Sequence, residues 1–148
     1  MKKMILTLAI AVCTLSLSAF AGEVRNVSEK VLKAFNTEFN TAKEVEWTVG
    51  SDYYMASFRY NDNYVYAYYS EEGELLGLSR NISPADLPLN LQTSLKKDFT
   101  SYWVSDLLEV AKSESTSYYI TLENADTKIV LKASGGNGWS QYKKVKKS

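Results

Sequence analysis

The sequence has no histidine, and its one cysteine, Cys13, lies inside a short apolar segment near the N-terminus. Histidine and cysteine supply most general bases, thiol nucleophiles and transition-metal ligands in proteins. No G-x-S-x-G motif is present to suggest a serine hydrolase. We therefore predict that the protein is not an enzyme and that it uses neither a metal nor a cofactor.

Acidic residues offer the remaining route to catalysis or cation binding. Glu71, Glu72 and Glu74 cluster at one predicted turn, and Asp62 lies in the turn before it. Paired carboxylates can hydrolyse glycosides, and carboxylate oxygens suit calcium, but no EF-hand spacing is present. Acids on exposed turns are usually solvated, so a carboxylate-based hydrolase and a calcium site are the less favoured alternatives.

The first 21 residues have the pattern of a secretory signal peptide. Lys2 and Lys3 precede an apolar segment from Met4 to Leu17, and Ser18-Ala19-Phe20-Ala21 places small residues where a signal peptidase reads them. We predict cleavage after Ala21 and export to the periplasm. The apolar segment is too short for a membrane span, so we predict no stable membrane insertion after cleavage.

The charge balance excludes a global attraction to anionic polymers. The chain has 17 basic and 17 acidic residues, and removal of Lys2 and Lys3 leaves 15 basic against 17 acidic groups, a net charge of −2. No overall field then draws nucleic acid, and we predict no nucleic-acid partner. Cleavage also removes Cys13, so the exported chain depends on its core and its sheet rather than on disulfides.

The first half of the exported chain predicts one helix followed by four strands. Val31, Leu32, Phe35 and Phe39 recur at helical spacing, and Ser28 precedes them as an N-cap. Val45, Trp47 and Val49 then alternate with polar residues, as in a strand with one apolar face. Residues 53–82 contain three further strands, separated by turn signals at Asn61-Asp62-Asn63 and at residues 71–74.

The second half predicts the same order of elements. Residues 83–88 hold both prolines of the chain, and we place the boundary between the halves there. A helix with Leu91, Leu95 and Phe99 on its inner face follows. Strands are then predicted near residues 103–111, 117–123, 128–133 and 139–145.

The two halves repeat each other in sequence. Phe39 matches Phe99 at a separation of 60 residues, and the strand residues match at a separation of 64: Tyr54, Ala56, Phe58, Val65 and Ala67 with Tyr118, Ile120, Leu122, Ile129 and Leu131. The sequence therefore predicts an α+β protein with two tandem helix-plus-four-strand repeats, residues 22–82 and 83–148. Together they form one continuous domain, an antiparallel sheet of about eight strands with the helices on one face.

Several segments resemble the secreted PepSY-like, β-lactamase-inhibitor-like proteins. The resemblance lies in AFNTEFNTAKEVEW (residues 34–47), YYMASF, VYAYYSEEGELL and the later Leu87-Pro88, whereas Asn40 stands where the family often has proline. It implies an exported domain of tandem helix-plus-four-strand repeats without a catalytic motif. It does not imply inhibition of β-lactamase, because a fold does not fix a function.

The strand alternation predicts a partner-binding face on the side of the sheet away from the helices. Aromatic residues, Met and Arg are concentrated in protein interfaces, although tyrosine also tiles solvated sheets through cross-strand pairs. We predict that this face binds a protein or peptide of the cell envelope, and that Thr121 also lies on it. The candidate residues are Tyr53, Met55, Arg59, Tyr64, Tyr66, Tyr68, Trp103 and Tyr119.

Two further expectations can be tested on the structure. A small-ligand or envelope-stress sensing module is the alternative function, and it would need a concave pocket between the halves. We also predict that Lys143, Lys144, Lys146 and Lys147 form a solvated, mobile tail after the last strand, with contact to anionic lipid less favoured.

Overall fold

The computed structural model describes residues 26–148, and the predicted signal peptide with its cleavage site lies outside the described residues. No helix within residues 26–148 is long and apolar enough to cross a membrane. The helices are α1 (Glu29–Glu38), a 3₁₀ turn (Pro84–Asp86) and α2 (Leu89–Asp98). The strands are β1 (Lys43–Val49), β2 (Tyr54–Tyr60), β3 (Asn63–Tyr69), β4 (Leu75–Asn81), β5 (Trp103–Lys112), β6 (Ser115–Glu123), β7 (Thr127–Ser134) and β8 (Ser140–Lys146).

The eight strands form one antiparallel sheet in the order β1-β2-β3-β4-β5-β6-β7-β8. Each strand pairs with the next strand in the sequence, and β4 pairs with β5 across the predicted boundary, with Leu78 opposite Ala111. Both helices pack on the same face of this sheet. The predicted α+β architecture of two helices and about eight strands is confirmed, whereas the division into domains stays a prediction.

Local sequence signals account for the start of α1 and for the tight turns. Val31 N donates to Ser28 Oγ at 3.4 Å, as expected of an N-cap. Asn61 and Asp62 have φ of 49° and 63°, so the β2–β3 turn has the left-handed backbone that Asn and Asp tolerate. Gly73 has φ of 86°, and a Cβ there would lie 3.0 Å from the Lys30 carbonyl oxygen. Glycine therefore lets the β3–β4 turn approach α1.

Each repeat has its own hydrophobic core between its helix and its half of the sheet. The core under α1 is aromatic: Phe35 packs on Trp47 at 5.2 Å and on Phe58 at 5.0 Å between ring centroids. The buried core under α2 is mainly aliphatic, with Leu91, Leu107 and Ile120 among its members, although it also includes Tyr118. The repeats therefore share a backbone plan and differ in how their interiors are filled.

The predicted apolar inner face of β1 is only partly correct. Trp47 is buried, but Val45 and Val49 are 37% and 50% exposed. The reason is position in the sheet, because β1 is an edge strand and has a neighbour on one side only. Alternation along the strand cannot reveal this.

The prediction of a mobile lysine tail is wrong. Lys143, Lys144 and Lys146 belong to β8, which pairs with β7. Lys147 Nζ lies 2.9 Å from Glu123 Oε2 and donates to the Asn124 carbonyl oxygen at 2.7 Å. The basic segment is therefore the charged edge strand of the sheet, and charged residues on an edge strand discourage pairing with other chains.

Candidate binding face

We call the sheet surface opposite the helices the outer face. Strand pairing brings the first-repeat candidates together on it, since Met55 stands opposite Tyr68 and Arg59 opposite Tyr64. Tyr66 lies between them, opposite Ser57 on β2 and Ser79 on β4. The side-chain alternation of a strand repeats every two residues, so one correct register places all of them on one face.

Two tyrosines form the well-packed end of this group. The rings of Tyr53 and Tyr68 have centroids 5.9 Å apart. A Cβ at Gly50 would lie 2.7 Å from the Tyr53 ring. Only glycine at residue 50 therefore leaves room for the ring in this position. Both tyrosines are half-buried. Their packing against each other and against Gly50 restricts the orientation of both rings.

A charged pair holds the opposite end of the group. The Arg59 guanidinium carbon lies 5.9 Å from the centroid of the Tyr64 ring, and Arg59 Nη1 lies 3.6 Å from Glu44 Oε1. Tyr64 Oη donates to Glu44 Oε2 at 3.2 Å. Tyr64 nevertheless remains 56% exposed. Its ring is oriented but accessible, as a contact residue would be.

Tyr68 is half-buried on the outer face. Burial raises the pKa of its hydroxyl, a hydrogen bond with Ser79 opposes that rise, and the neighbouring Tyr53 and Tyr66 add to it. Tyr68 therefore stays neutral at any physiological pH. It contributes apolar area and one hydroxyl, not charge.

The second-repeat candidates lie on the same face but not in the same cluster. Trp103 stands opposite Glu123 on β6, whereas Tyr119 stands opposite Leu108 on β5. Four residues of strand separate these two positions on β6, a distance of about 13 Å. The outer face thus has one continuous aromatic group on the first repeat and two separate aromatic sites on the second.

Sequence reasoning missed the residues that surround those two sites. Tyr142 meets Tyr119 edge to face at 5.5 Å, and Lys132 Nζ lies 5.4 Å from the Tyr119 ring centroid. Lys147 Nζ lies 4.8 Å from the Trp103 ring centroid. The register shift between Val130 and Leu131 displaces β8 by one residue. Simple alternation gives no signal for that shift, although the aromatic and basic content of the segment is visible in the sequence.

The middle of the outer face carries small side chains that are buried although neither α1 nor α2 covers them. They are Ser79, Val110, Thr121 and Val130, each 4–5% exposed. Neighbouring strands with larger side chains therefore enclose them. Thr121, predicted on the outer face, does lie on that face, but it belongs to this enclosed group and is not accessible.

The four turn acids considered as catalytic or calcium-binding candidates lie in two separate places. Asp62 and the group Glu71, Glu72 and Glu74 lie in turns at opposite ends of β3, about 20 Å apart for a strand of this length. Within residues 26–148, no three His, Cys, Asp or Glu side chains are grouped so that they could hold a metal ion. The acids are exposed turn residues.

Two serines have the S-x-x-K spacing, but neither is paired with its lysine. Ser94 Oγ donates to Asp98 Oδ2 at 3.3 Å instead of to Lys97. Ser140 Oγ donates to the Lys132 carbonyl oxygen at 3.1 Å instead of to Lys143. A serine nucleophile needs an adjacent base that accepts its proton. These hydroxyls have structural partners.

A shallow groove runs between the two repeats on the helix-bearing face. Its volume is about 270 Å³, and its lining includes Phe39, Val65, Leu78 and Ala111. Arg80 Nε and Glu109 Oε1 form an ion pair across it at 2.8 Å. The concave pocket that a ligand-sensing function would require between the halves is therefore present but small.

The described chain belongs to the class of open antiparallel sheets built from two helix-plus-four-strand repeats. A BLIP-like protein from Bacteroides fragilis has this fold, with a TM-score of 0.70 and 20% sequence identity over 82% of this chain and 88% of that one. A DUF2874 family protein from Bacteroides uniformis matches with a TM-score of 0.71 and 14% identity over 80% and 88%. A protein from Bacteroides eggerthii, provisionally described as periplasmic, matches with a TM-score of 0.72 and 14% identity over 81% and 88%.

No family model matches the chain, and no curated protein matches it. At these identities the structural neighbours show the fold alone. The expected likeness to β-lactamase-inhibitor-like proteins is thus confirmed for the fold. The likeness to PepSY-like proteins is not shown.

Proposed function

We propose that the protein is a non-catalytic binding module of the periplasm that recognises a protein or peptide through the first-repeat part of its outer face. The observation that carries this proposal is the preoriented aromatic group, in which Tyr53 and Tyr68 pack together and Tyr64 is held by Glu44 yet remains exposed. Rigid tyrosines offer a large contact area at a low entropic cost. Met55 and Arg59 complete the group with residue types enriched in interfaces.

The remaining features of the proposal have separate support. Export rests on the signal-peptide pattern of residues 1–21 and on a structural neighbour provisionally described as periplasmic. The proposed absence of catalysis rests on the lack of histidine, on the predicted removal of Cys13 with the signal peptide, and on turn acids that lie apart. A relation to PepSY-like proteins rests on the segments quoted from the sequence.

A ligand-sensing role for the groove between the repeats is supported less well. Sites for small molecules usually enclose about 300–1,000 Å³, and this groove has about 270 Å³. Its one ion pair, Arg80 with Glu109, is already satisfied internally. The outer face therefore remains the better candidate.

The test compares capture of envelope proteins by the parent and by a variant with Met55, Tyr64 and Tyr66 changed to serine. Tyr53 and Tyr68 are retained, because Tyr53 packs against Gly50 and against the Tyr68 ring, so the variant should fold. We expect the variant to bind the captured partner at least tenfold more weakly, because central aromatic contacts are each worth about 2 kcal/mol or more. Affinity for the purified partner is the measurement.

A matched control changes three exposed apolar residues away from the outer face, Val45, Val49 and Leu89, to serine. This control should bind as the parent does. Equal weakening by both variants would point to general loss of apolar surface, and equal binding by parent and test variant would place the interface elsewhere. Circular dichroism and thermal unfolding verify that both variants are folded.

A further inference from the structure

The second repeat contains a cleft that the first repeat fills with aromatic rings. Repeat alignment places Leu95 at the position of Phe35 and Leu122 at that of Phe58, and both leucines line the cleft. In the first repeat these rings pack tightly, with Phe39 and Phe58 at 4.9 Å and Phe35 and Phe58 at 5.0 Å. The same backbone plan with smaller side chains leaves unfilled space between helix and sheet.

This space is a cleft of about 540 Å³ between the C-terminal half of α2 and the start of β5. The apolar part of its lining consists mainly of Leu95, Phe99, Tyr102, Val104 and Leu122. Leu95 and Phe99 are only half-buried, whereas their counterparts Phe35 and Phe39 are 3% and 7% exposed. A volume of this size lies within the range of small-molecule sites.

The cleft is held open by contacts at the other end of α2. Leu91 is fully buried, and its carbonyl oxygen accepts a hydrogen bond from Trp139 Nε1 at 3.1 Å. Asn90 Nδ2 donates to the Gly136 carbonyl oxygen. Gln92 Nε2 donates to the Ala85 and Leu87 carbonyl oxygens at 3.1 and 2.9 Å. With its N-terminal half fixed in this way, α2 does not settle onto the sheet to close the space.

Charge selects the class of ligand. Among the described residues that line the cleft, Lys96 is the one that carries a charge, and it is exposed at the rim. The side-chain amide nitrogen of Gln92 already donates to two carbonyl oxygens, so it has no hydrogen left to donate to a ligand. An apolar interior with one ammonium group at the rim complements a molecule with an apolar chain and one anionic head.

We propose that the cleft under α2 binds a single-chain amphiphile with a carboxylate head, its chain lying against Leu95, Val104 and Leu122 and its head beside Lys96. This site is separate from the outer face and does not depend on the proposed partner. Burial of the chain supplies most of the affinity, because each buried methylene strengthens binding about fourfold. The pairing with Lys96 supplies the preference for an anion.

The test uses dodecanoate and, as the probe of opposite charge, dodecyltrimethylammonium, both below the concentrations at which they form micelles. Calorimetric titration should show one dodecanoate bound per chain and clearly weaker binding of the cation. Lys96→Glu should weaken dodecanoate binding by about three- to tenfold, as expected for loss of a partly exposed ion pair. Lys97→Glu, one residue further along α2 and not part of the lining, is the matched control and should leave binding unchanged.

Filling the cleft tests the site itself. The variant with Leu95→Phe and Leu122→Phe restores the residues of the first repeat and should abolish dodecanoate binding. If this variant does not fold, methyl NMR on the parent decides: Leu95, Val104 and Leu122 should shift on addition of dodecanoate, while Val110 and Val130 on the outer face should not. Absence of binding, equal binding of the cation, or shifts confined to Val110 and Val130 would each overturn the proposal.

Discussion

At the scale of single residues, Tyr69 lowers the stability of the first core through its buried hydroxyl. Its side chain is fully buried among Phe35 and Trp47, and no described residue lies within hydrogen-bonding distance of its hydroxyl. Burial raises the pKa of this hydroxyl far above its ordinary value, with the Glu38 charge as a lesser cause. A buried hydroxyl without a partner costs about 1–3 kcal/mol.

Tyr69→Phe removes that hydroxyl and keeps the ring. We expect the free energy of unfolding to rise by up to about 1 kcal/mol, because the desolvation cost disappears while the packing stays. Urea unfolding followed by fluorescence measures the change. Tyr118 in the second core is 9% exposed and serves as the control. The Tyr118→Phe substitution should raise the free energy of unfolding by less. A clear loss of stability in Tyr69→Phe would mean that its hydroxyl has a partner, such as an enclosed water.

At the scale of elements, the attachment of β8 decides how the sheet ends. Glu123 on β6 forms two ion pairs. Its Oε1 lies 3.5 Å from Lys128 Nζ, and its Oε2 lies 2.9 Å from Lys147 Nζ. The bond with Lys147, and then one with Ser105, lowers the pKa of the Glu123 carboxyl below its ordinary value of 4.5. The C-terminal end of the chain is thereby fastened two strands inward from the sheet edge.

The lowered pKa of Glu123 predicts a pH dependence of stability. A carboxyl with a folded-state pKa below its unfolded value stabilises the fold above about pH 4.5, and this contribution disappears as pH falls through the lowered value. The difference in melting temperature between the parent and Glu123→Gln should therefore be largest near about pH 6 and should shrink below about pH 4.5.

Thermal unfolding at several pH values measures this difference. Glu74→Gln, which removes an exposed acid from the β3–β4 turn, controls for the loss of one negative charge. A difference between the parent and Glu123→Gln that stays constant down to pH of about 3 would show that the Lys147 pairing does not stabilise β8.

At the scale of the whole molecule, one sheet joins two interiors of unequal packing. The first repeat has phenylalanine at residues 35 and 58, where the second repeat has Leu95 and Leu122 and keeps a cleft under α2. Empty space next to a core removes dispersion contacts and lowers local stability. The two repeats should therefore unfold locally at different free energies, although their strands belong to one continuous sheet.

Native-state hydrogen exchange can resolve this difference. Strands β3 and β6 each have a paired neighbour on both sides, which makes them a matched comparison. We expect the amides of β6 to open at a free energy about 1 kcal/mol lower than those of β3, a roughly fivefold faster exchange in the equilibrium regime. Leu95→Phe should reduce the difference in opening free energy between the β6 and β3 amides. Equal opening energies in the parent would show that the sheet unfolds as one unit despite the cleft.

The sequence by itself determined the order of the elements, their type and the repeat. Period-two alternation placed Met55, Arg59 and Tyr64 on one face, and the turn residues at 61–62 and at Gly73 ended the strands where they do end. These features are local, because turn chemistry and alternation act over a few residues. The helix N-cap at Ser28 was readable for the same reason.

The tertiary structure alone decided which strands stand at the edge, which candidates meet, and where space remains. The exposure of Val45 and Val49 follows from the neighbour that β1 lacks, and the separation of Trp103 from Tyr119 follows from register. The pairing of Tyr119 with Tyr142 depends on a register shift in β8, and the cleft depends on how α2 is fixed at Leu91. Each of these depends on contacts between distant parts of the chain, and local patterns carry no information about such contacts.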